Sequence, residues 1–219
     1  RKADAEARKL SAEAESAEYK SFVEQINRDR EDEKRRDELA KDRYYFVYPF
    51  SGSVNESSVK ACIDQLTIWS RNKPKCPIEI IFHSPGGEVI QGMALFDFIQ
   101  GLKARGHEIT PVALGMAASM AGILLQAGTK RAMGAEAWLL IHEGSFGAIG
   151  SAGQVEDVVE WIKKIHKRIK RIFASRSHLT EAQIERKWRR KDWWIDSEES
   201  LRLGLVDEVR GYEAKKNRK

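Results

Sequence analysis

Two cysteines, Cys62 and Cys76, are too few for a disulfide framework, and neither has a partner cysteine at metal-ligand spacing. Both are expected to be ordinary reduced thiols, and no metal or cofactor is called for. Long apolar runs are equally scarce. The longest, Val112 to Gly128, is short for a membrane span and rich in Gly, Ala and Ser, so a buried segment is expected there and no membrane contact. Proline and glycine are missing altogether from Arg1 to Arg43, where more than half of the residues are charged and both signs are mixed. That composition excludes a packed core and predicts a long exposed helix. Its apolar positions, Leu10, Ala14, Ala17, Phe22, Val23 and Ile26, form a stripe too thin and broken for a heptad repeat. The first residue is Arg rather than Met and those after it are charged, so no signal peptide is expected, the chain is expected to be a trimmed or processed product, and its location is expected to be cytoplasmic. The formal net charge of +5 is modest and its excess is concentrated between Lys163 and Lys191. No nucleic-acid motif accompanies it, so nucleic acid is not an expected partner.

What is present begins at Tyr44, giving three expected regions: a charged helical arm over 1–43, a folded body over 44–211 and a polar tail over 212–219. Tyr44 to Tyr48 is a β-prone run closed by Ser51-Gly52-Ser53. From Asn55 to Ser70 the residues Val59, Cys62, Ile63, Leu66 and Trp69 recur at helical spacing behind candidate caps at Asn55 and Ser57. Pro77 to Phe82, Ile109 to Leu114 and Ala137 to Ile141 are further strand candidates, and Val89 to Leu102 is another helix. A long helix over Gln154 to Ala174 has one apolar stripe and one strongly basic face. Thr180 opens a shorter helix, Ser197 to Leu203 forms another, and Leu205 to Val209 reads as a last strand. Strands alternating with helices imply βαβ crossovers and a mostly parallel sheet, so the fold class is α/β.

One octapeptide stands out chemically. Gly115-Met116-Ala117-Ala118-Ser119-Met120-Ala121-Gly122 surrounds a potential nucleophile with small residues, after a strand candidate and before an apolar run. A strand, a tight turn and a helix would place Ser119 at a helix N-terminus, where unpaired N–H groups face any anion formed on a bound carbonyl. The bland alternative is a close-packed buried helix whose hydroxyl bonds back to a carbonyl. A serine nucleophile also needs a base and a group to orient it. Of the five histidines, His107, His166 and His178 fall in a turn or on and beyond the basic helix, where surface roles are expected. His83 and His142 each follow an apolar strand and remain equal candidates. Ser84-Pro85-Gly86-Gly87, directly after His83, allows a sharp turn with unhindered N–H groups.

In combination, Ser84-Pro85-Gly86-Gly87, the octapeptide at Ser119, Ile141-His142-Glu143, Gly153-Gln154, Lys191-Asp192, Ser197-Glu198-Glu199-Ser200 and Gly204-Leu205-Val206-Asp207 resemble, in order, the motifs of the Clp-type serine peptidases. The resemblance spans roughly Arg43 to Arg210. It implies a ClpP/crotonase-type fold with a long handle helix, Ser119 as nucleophile, His142 as base, Asp192 as orienting acid, and the N–H groups of Gly87 and Met120 as oxyanion hole. For Asp192 the residues alone favour a capping or salt-bridged role beside Arg189 and Arg190. The resemblance further implies a polypeptide substrate and a homo-oligomeric ring, and leaves open whether an ATP-driven unfoldase or a phage scaffold or capsid component is the partner. Phage-encoded proteins that look like this family act in head maturation, and the arm suits that branch, with a scaffold or capsid component as partner. His83, Trp193-Trp194 and the arm depart from the usual family pattern. Two rival readings are a catalytically silent ring or scaffold subunit, and acyl-CoA chemistry on the related crotonase fold, which would not need Ser, His and Asp in this order.

Overall fold

Uninterrupted by glycine or proline, the first residues form one helix, α1 (Lys2–Leu39), followed by a 3-10 turn at Asp42–Tyr44, in the computed structural model, which describes residues 1–211. The expected tail over 212–219 lies outside the described residues. Two compact units result, Arg1–Tyr45 and the chain from Phe46 onward. Within the first, Leu10, Tyr19 and Phe22 are exposed, and an ion pair such as Lys9–Glu13 at 3.9 Å is solvated and worth only a few tenths of a kcal/mol.

The second unit is built on a seven-stranded sheet. Its elements are β1 (Val47–Ser51), α2 (Glu56–Asn72), β2 (Ile78–Ser84), α3 (Val89–Ala104), β3 (Ile109–Ala118), α4 (Met120–Leu125), β4 (Ala132–Gly134), β5 (Trp138–Ile141), α5 (Ala152–Ser175), α6 (Glu181–Trp188), β6 (Trp193–Ile195), α7 (Ser197–Arg202) and β7 (Glu208–Arg210). The strands run in the order β1-β2-β3-β4-β7, all parallel, while β5 pairs parallel with β3 and antiparallel with β6. This is the α/β architecture with a mostly parallel sheet that the alternation of strands and helices led one to expect.

The helices start where the sequence supplies caps. Asn55 Oδ1 accepts from the Ser58 N–H at 3.0 Å and the Ser58 hydroxyl accepts from Asn55 N–H, so Ser58 and not Ser57 closes the box on α2. Ser151 with Gln154 on α5 and Thr180 with Gln183 on α6 repeat the device. The core lies where α2, α3 and α4 cover the sheet, with Leu66, Ile80, Phe82, Leu95, Ile99 and Leu124 fully buried. Truncating one of these to Ala would cost about 2–5 kcal/mol.

Three local expectations are corrected. The strand expected from Tyr44 starts only at Val47, because Phe46 takes φ 58° and turns its ring edge-on to Trp69 at 5.8 Å, leaving Tyr44 and Tyr45 exposed. The strand expected to end at Leu114 runs on to Ala118. Gly115, at φ 69°, swivels it, so Val112 and Ala113 pair with β4 whereas Met116 to Ala118 pair with β5. The last strand begins at Glu208 rather than Leu205, because Leu205 and Val206 are core residues and Asp207 is drawn to Arg131.

Candidate functional site

Ser119 is the first residue after β3 and the N-cap of α4, held at φ 54° and ψ −120°. A non-glycine residue pays about 1–3 kcal/mol for such a conformation, which persists only where its surroundings fix it. Here the Ser119 N–H donates to Leu140 O on β5 at 2.9 Å, and every residue of α4 is buried behind it. The sharp strand-to-helix turn presents the hydroxyl instead of letting it cap its own helix; no side-chain cap bond is made. The back-bonded alternative from the sequence therefore does not hold.

The loop after β2 is pressed onto this turn. A Cβ on Gly86 would stand 2.6 Å from both Ala118 O and Ser119 Cβ, and one on Gly87 would stand 2.2 Å from Val54 O. Gly86 and Gly87 adopt φ 90° and 149°, so both the space and the backbone require glycine. Val54 locks the loop from outside, donating to Gly86 O and accepting from the Glu88 N–H, each at 2.8 Å. Among the described residues, the N–H groups of Gly87 and Met120 have no protein acceptor.

His142 follows the last residue of β5, and its Nε2 lies 2.7 Å from Ser119 Oγ. Its Nδ1 faces Asp192 Oδ1 at 3.4 Å. With the ring proton on Nδ1, Nε2 is free to accept the serine proton. The His142 side chain is 25% exposed and that of Asp192 61%, so the pair sits at the mouth of the site. The structure thus brings Ser119, His142 and Asp192 together in a continuous chain of contacts. Asp192 is neither a helix cap nor, among the described residues, an ion partner of Arg189 or Arg190; Asp196 is the cap, accepting from the Glu199 N–H at 2.7 Å.

His83, the rival base, lies within β2 rather than after it, and its Nδ1 is 3.1 Å from Leu114 O. Two surface expectations are also corrected. His107 is buried because both ring nitrogens find partners, Ser70 Oγ at 2.8 Å and Cys76 O at 3.0 Å. His166 is half-buried between the rings of Phe146 and Trp188, at 5.7 and 5.6 Å. His178 is exposed, as expected. Neither thiol competes as nucleophile: both are buried, and burial pushes the Cys62 thiol well above its ordinary value.

Beside Ser119 a cleft is walled by Val89, Met120, Ile123, Phe146, Ile169 and Phe173, an apolar lining drawn from α3, α4, α5 and the loop after His142. A hydroxyl 2.7 Å from an imidazole, an imidazole facing a carboxylate, N–H groups at Gly87 and Met120 without a protein acceptor among the described residues, and an apolar cleft are the kinds of group an acyl-transfer site requires. Residues 27–213 match the family described as Clp protease. The chain belongs to the Clp protease family. Membership carries protease activity as the class of reaction, and the match begins inside α1, further towards the N-terminus than the motifs between Arg43 and Arg210 indicate.

Sequence reasoning gave no role to Glu143, whose Oε2 accepts from the Arg190 N–H at 3.1 Å, nor to Phe146 in the cleft. For Glu143 the signal was adjacency to His142. For Phe146 it was a lone aromatic in a glycine-rich segment, and only the fold sets that ring, still partly exposed, at the edge of the cleft 5.7 Å from His166.

Proposed function

We propose that this Clp-family chain is a serine endopeptidase in which Ser119, His142 and Asp192 form the catalytic triad and the N–H groups of Gly87 and Met120 form the oxyanion hole. The observation that carries the reading is the 2.7 Å approach of Ser119 Oγ to His142 Nε2 at a strained strand-to-helix turn. Ser119 attacks the scissile carbonyl as His142 takes its proton, and the tetrahedral oxyanion is held by the two N–H groups. His142 then gives the proton to the leaving amine. Water repeats the sequence on the acyl-enzyme, releasing the acid and returning the serine. Asp192 keeps the imidazole in the tautomer that leaves Nε2 free. The apolar cleft accepts an apolar side chain next to the scissile bond, while main-chain pairing along the segment from Gly144 to Gly153 binds an extended peptide with little further selectivity.

The working form is a ring of identical chains. On α5, Val159 and Trp161 are exposed between Glu156, Asp157 and Glu160 on one side and Lys163, Lys164, Lys167 and Arg168 on the other. With Lys163 paired to Glu160 at 2.6 Å, the remaining basic residues outweigh the acidic ones toward the C-terminal part of this apolar handle. Pairing of rings through it strengthens with salt or with an acidic partner. The arm serves attachment, its exposed Leu10, Tyr19 and Phe22 meeting a partner such as an unfoldase or, in a phage setting, a scaffold or capsid component. Among the described residues no helix is long and apolar enough to cross a membrane. The test is hydrolysis of a fluorogenic peptide with an apolar residue beside the dye. Wild type should cleave it, and Ser119→Ala should lose activity by several orders of magnitude with its melting temperature unchanged. Equal turnover by both proteins would reject the reading.

A further inference from the structure

The carboxylate of Asp192 is 61% exposed, and among the described residues its side chain meets only His142, at 3.4 Å. No hydrogen bond at the carboxylate itself holds it in place, so its aim depends on how the chain around it is fixed. On one side that fixing is the antiparallel ladder of β5 and β6, in which Ile141 stands opposite Trp193. Continued by one residue, this register sets His142 opposite Asp192. The ladder stops there. On the other side Arg190 occupies φ 54°, an unfavourable conformation for a non-glycine residue, just after α6 ends with Arg189 N–H on Glu185 O at 3.1 Å. Locally the turn is closed by Lys191 N–H on Trp188 O at 3.2 Å, and the side chain that reaches it from across the site is that of Glu143, whose Oε2 accepts from the Arg190 N–H at 3.1 Å across 47 residues of sequence.

From this bracketing, and resting on the triad reading above, we infer that Glu143 is a positioning residue that clamps the Arg190 turn and so aims Asp192 at His142. Two ties flank the His142–Asp192 pair. The strand pairing at Ile141 and Trp193 is the inner one, and the Glu143 bond to Arg190 is the outer one. With the outer tie cut, only the Lys191–Trp188 turn bond resists relaxation of the strained turn between Arg190 and Asp192, and a contact already 3.4 Å long opens further. Displacement of about 1 Å at a reacting group can cost on the order of 10²-fold in rate.

Three variants separate reach from charge, each measured by kcat and KM on the fluorogenic peptide. Glu143→Gln keeps an acceptor oxygen at the same reach without the charge. Glu143→Asp keeps the charge and loses a methylene of reach, and Glu143→Ala loses both. The inference expects Ala and Asp variants to fall about tenfold or more in kcat with KM nearly unchanged, and Gln to restore most of the loss. In an Asp192→Asn background, Glu143→Ala should add almost nothing, since both act through one imidazole. Wild-type kcat in the Ala variant, an Asp variant more active than the Gln variant, or losses that multiply with Asp192→Asn would each overturn it. If the Ala variant does not fold, the Gln and Asp pair decides alone. Should Ser119→Ala remain active, the triad reading itself fails; a flat Glu143 series beside an inactive Ser119→Ala rejects only the clamp.

Discussion

Ser119 is displayed by a conflict that the surrounding residues resolve: a backbone conformation unfavourable to serine, enforced by Leu140 O on one side and by the approach of Gly86 on the other. The same logic separates the two candidate bases. His83 and His142 look alike in sequence because each adjoins an apolar strand, yet only His142 reaches the hydroxyl, while the His83 ring lies against Leu114 O and under Gly115. His142→Ala should therefore approach the inactivity of Ser119→Ala, because triad members act as a unit, and His83→Ala should keep activity within about tenfold of wild type. Peptide hydrolysis by the two variants checks this, and the reverse ranking would transfer the role. The turns at Ser119 and at Gly86-Gly87 were legible from their runs of small residues, which equally suited a close-packed helix and an ordinary turn. His142 was legible only through the family motif. Glu143 was not, because its partner is the N–H of Arg190, and a backbone donor has no sequence signature.

Among the elements, those with a full turn of periodicity or a cap were readable, and of the three-residue strands only β7 was anticipated, three residues too early. The apolar spacing on α2 and α5 and their caps located both helices to within about two residues, whereas β4 and β6 are too short to display alternation and exist because β3 and β5 offer them edges. The motif ending in Asp207 has a structural use that its family resemblance did not disclose. Asp207 binds the guanidinium of Arg131, and the Arg131 N–H donates to it at 2.8 Å, while a second guanidinium nitrogen reaches Gln126 Oε1 at 2.7 Å. This ties β4, the end of α4 and the approach to β7 together. Hydrogen bonds from Arg131 hold the Asp207 carboxyl below its ordinary range. A depressed carboxyl contributes stability above its unfolded pKa of about 4 and loses it as pH falls through the folded value. Arg131 is 5% exposed but Asp207 38%, so solvent screens the pair and Asp207→Asn should cost about 2 kcal/mol at neutral pH rather than the ~3–5 of a fully buried pair. Melting curves should show the gap between variant and wild type closing as the pH drops below about 4. A gap that is constant with pH would mean that Asp207 contributes through packing alone.

The chain divides into two compact units, Arg1–Tyr45 and the part from Phe46 onward, and the second buries a core of its own. Deleting residues 1–43 should leave peptide cleavage and the melting temperature nearly unchanged, with sedimentation showing the same assembly state as the full chain. An unfolded or unassembled body would make the arm part of the core architecture. The family match that starts at residue 27 makes a second truncation, of residues 1–26, the control that separates the arm's own region from the matched one. The central claim, that the turn after β3 carries an activated nucleophile, is tested most directly by treating the folded protein with an active-serine phosphonate and locating the adduct by peptide mass spectrometry. One adduct per chain is expected, on Ser119, abolished in His142→Ala as well as in Ser119→Ala. Absence of any adduct on the wild type, or an adduct on another serine, would contradict it.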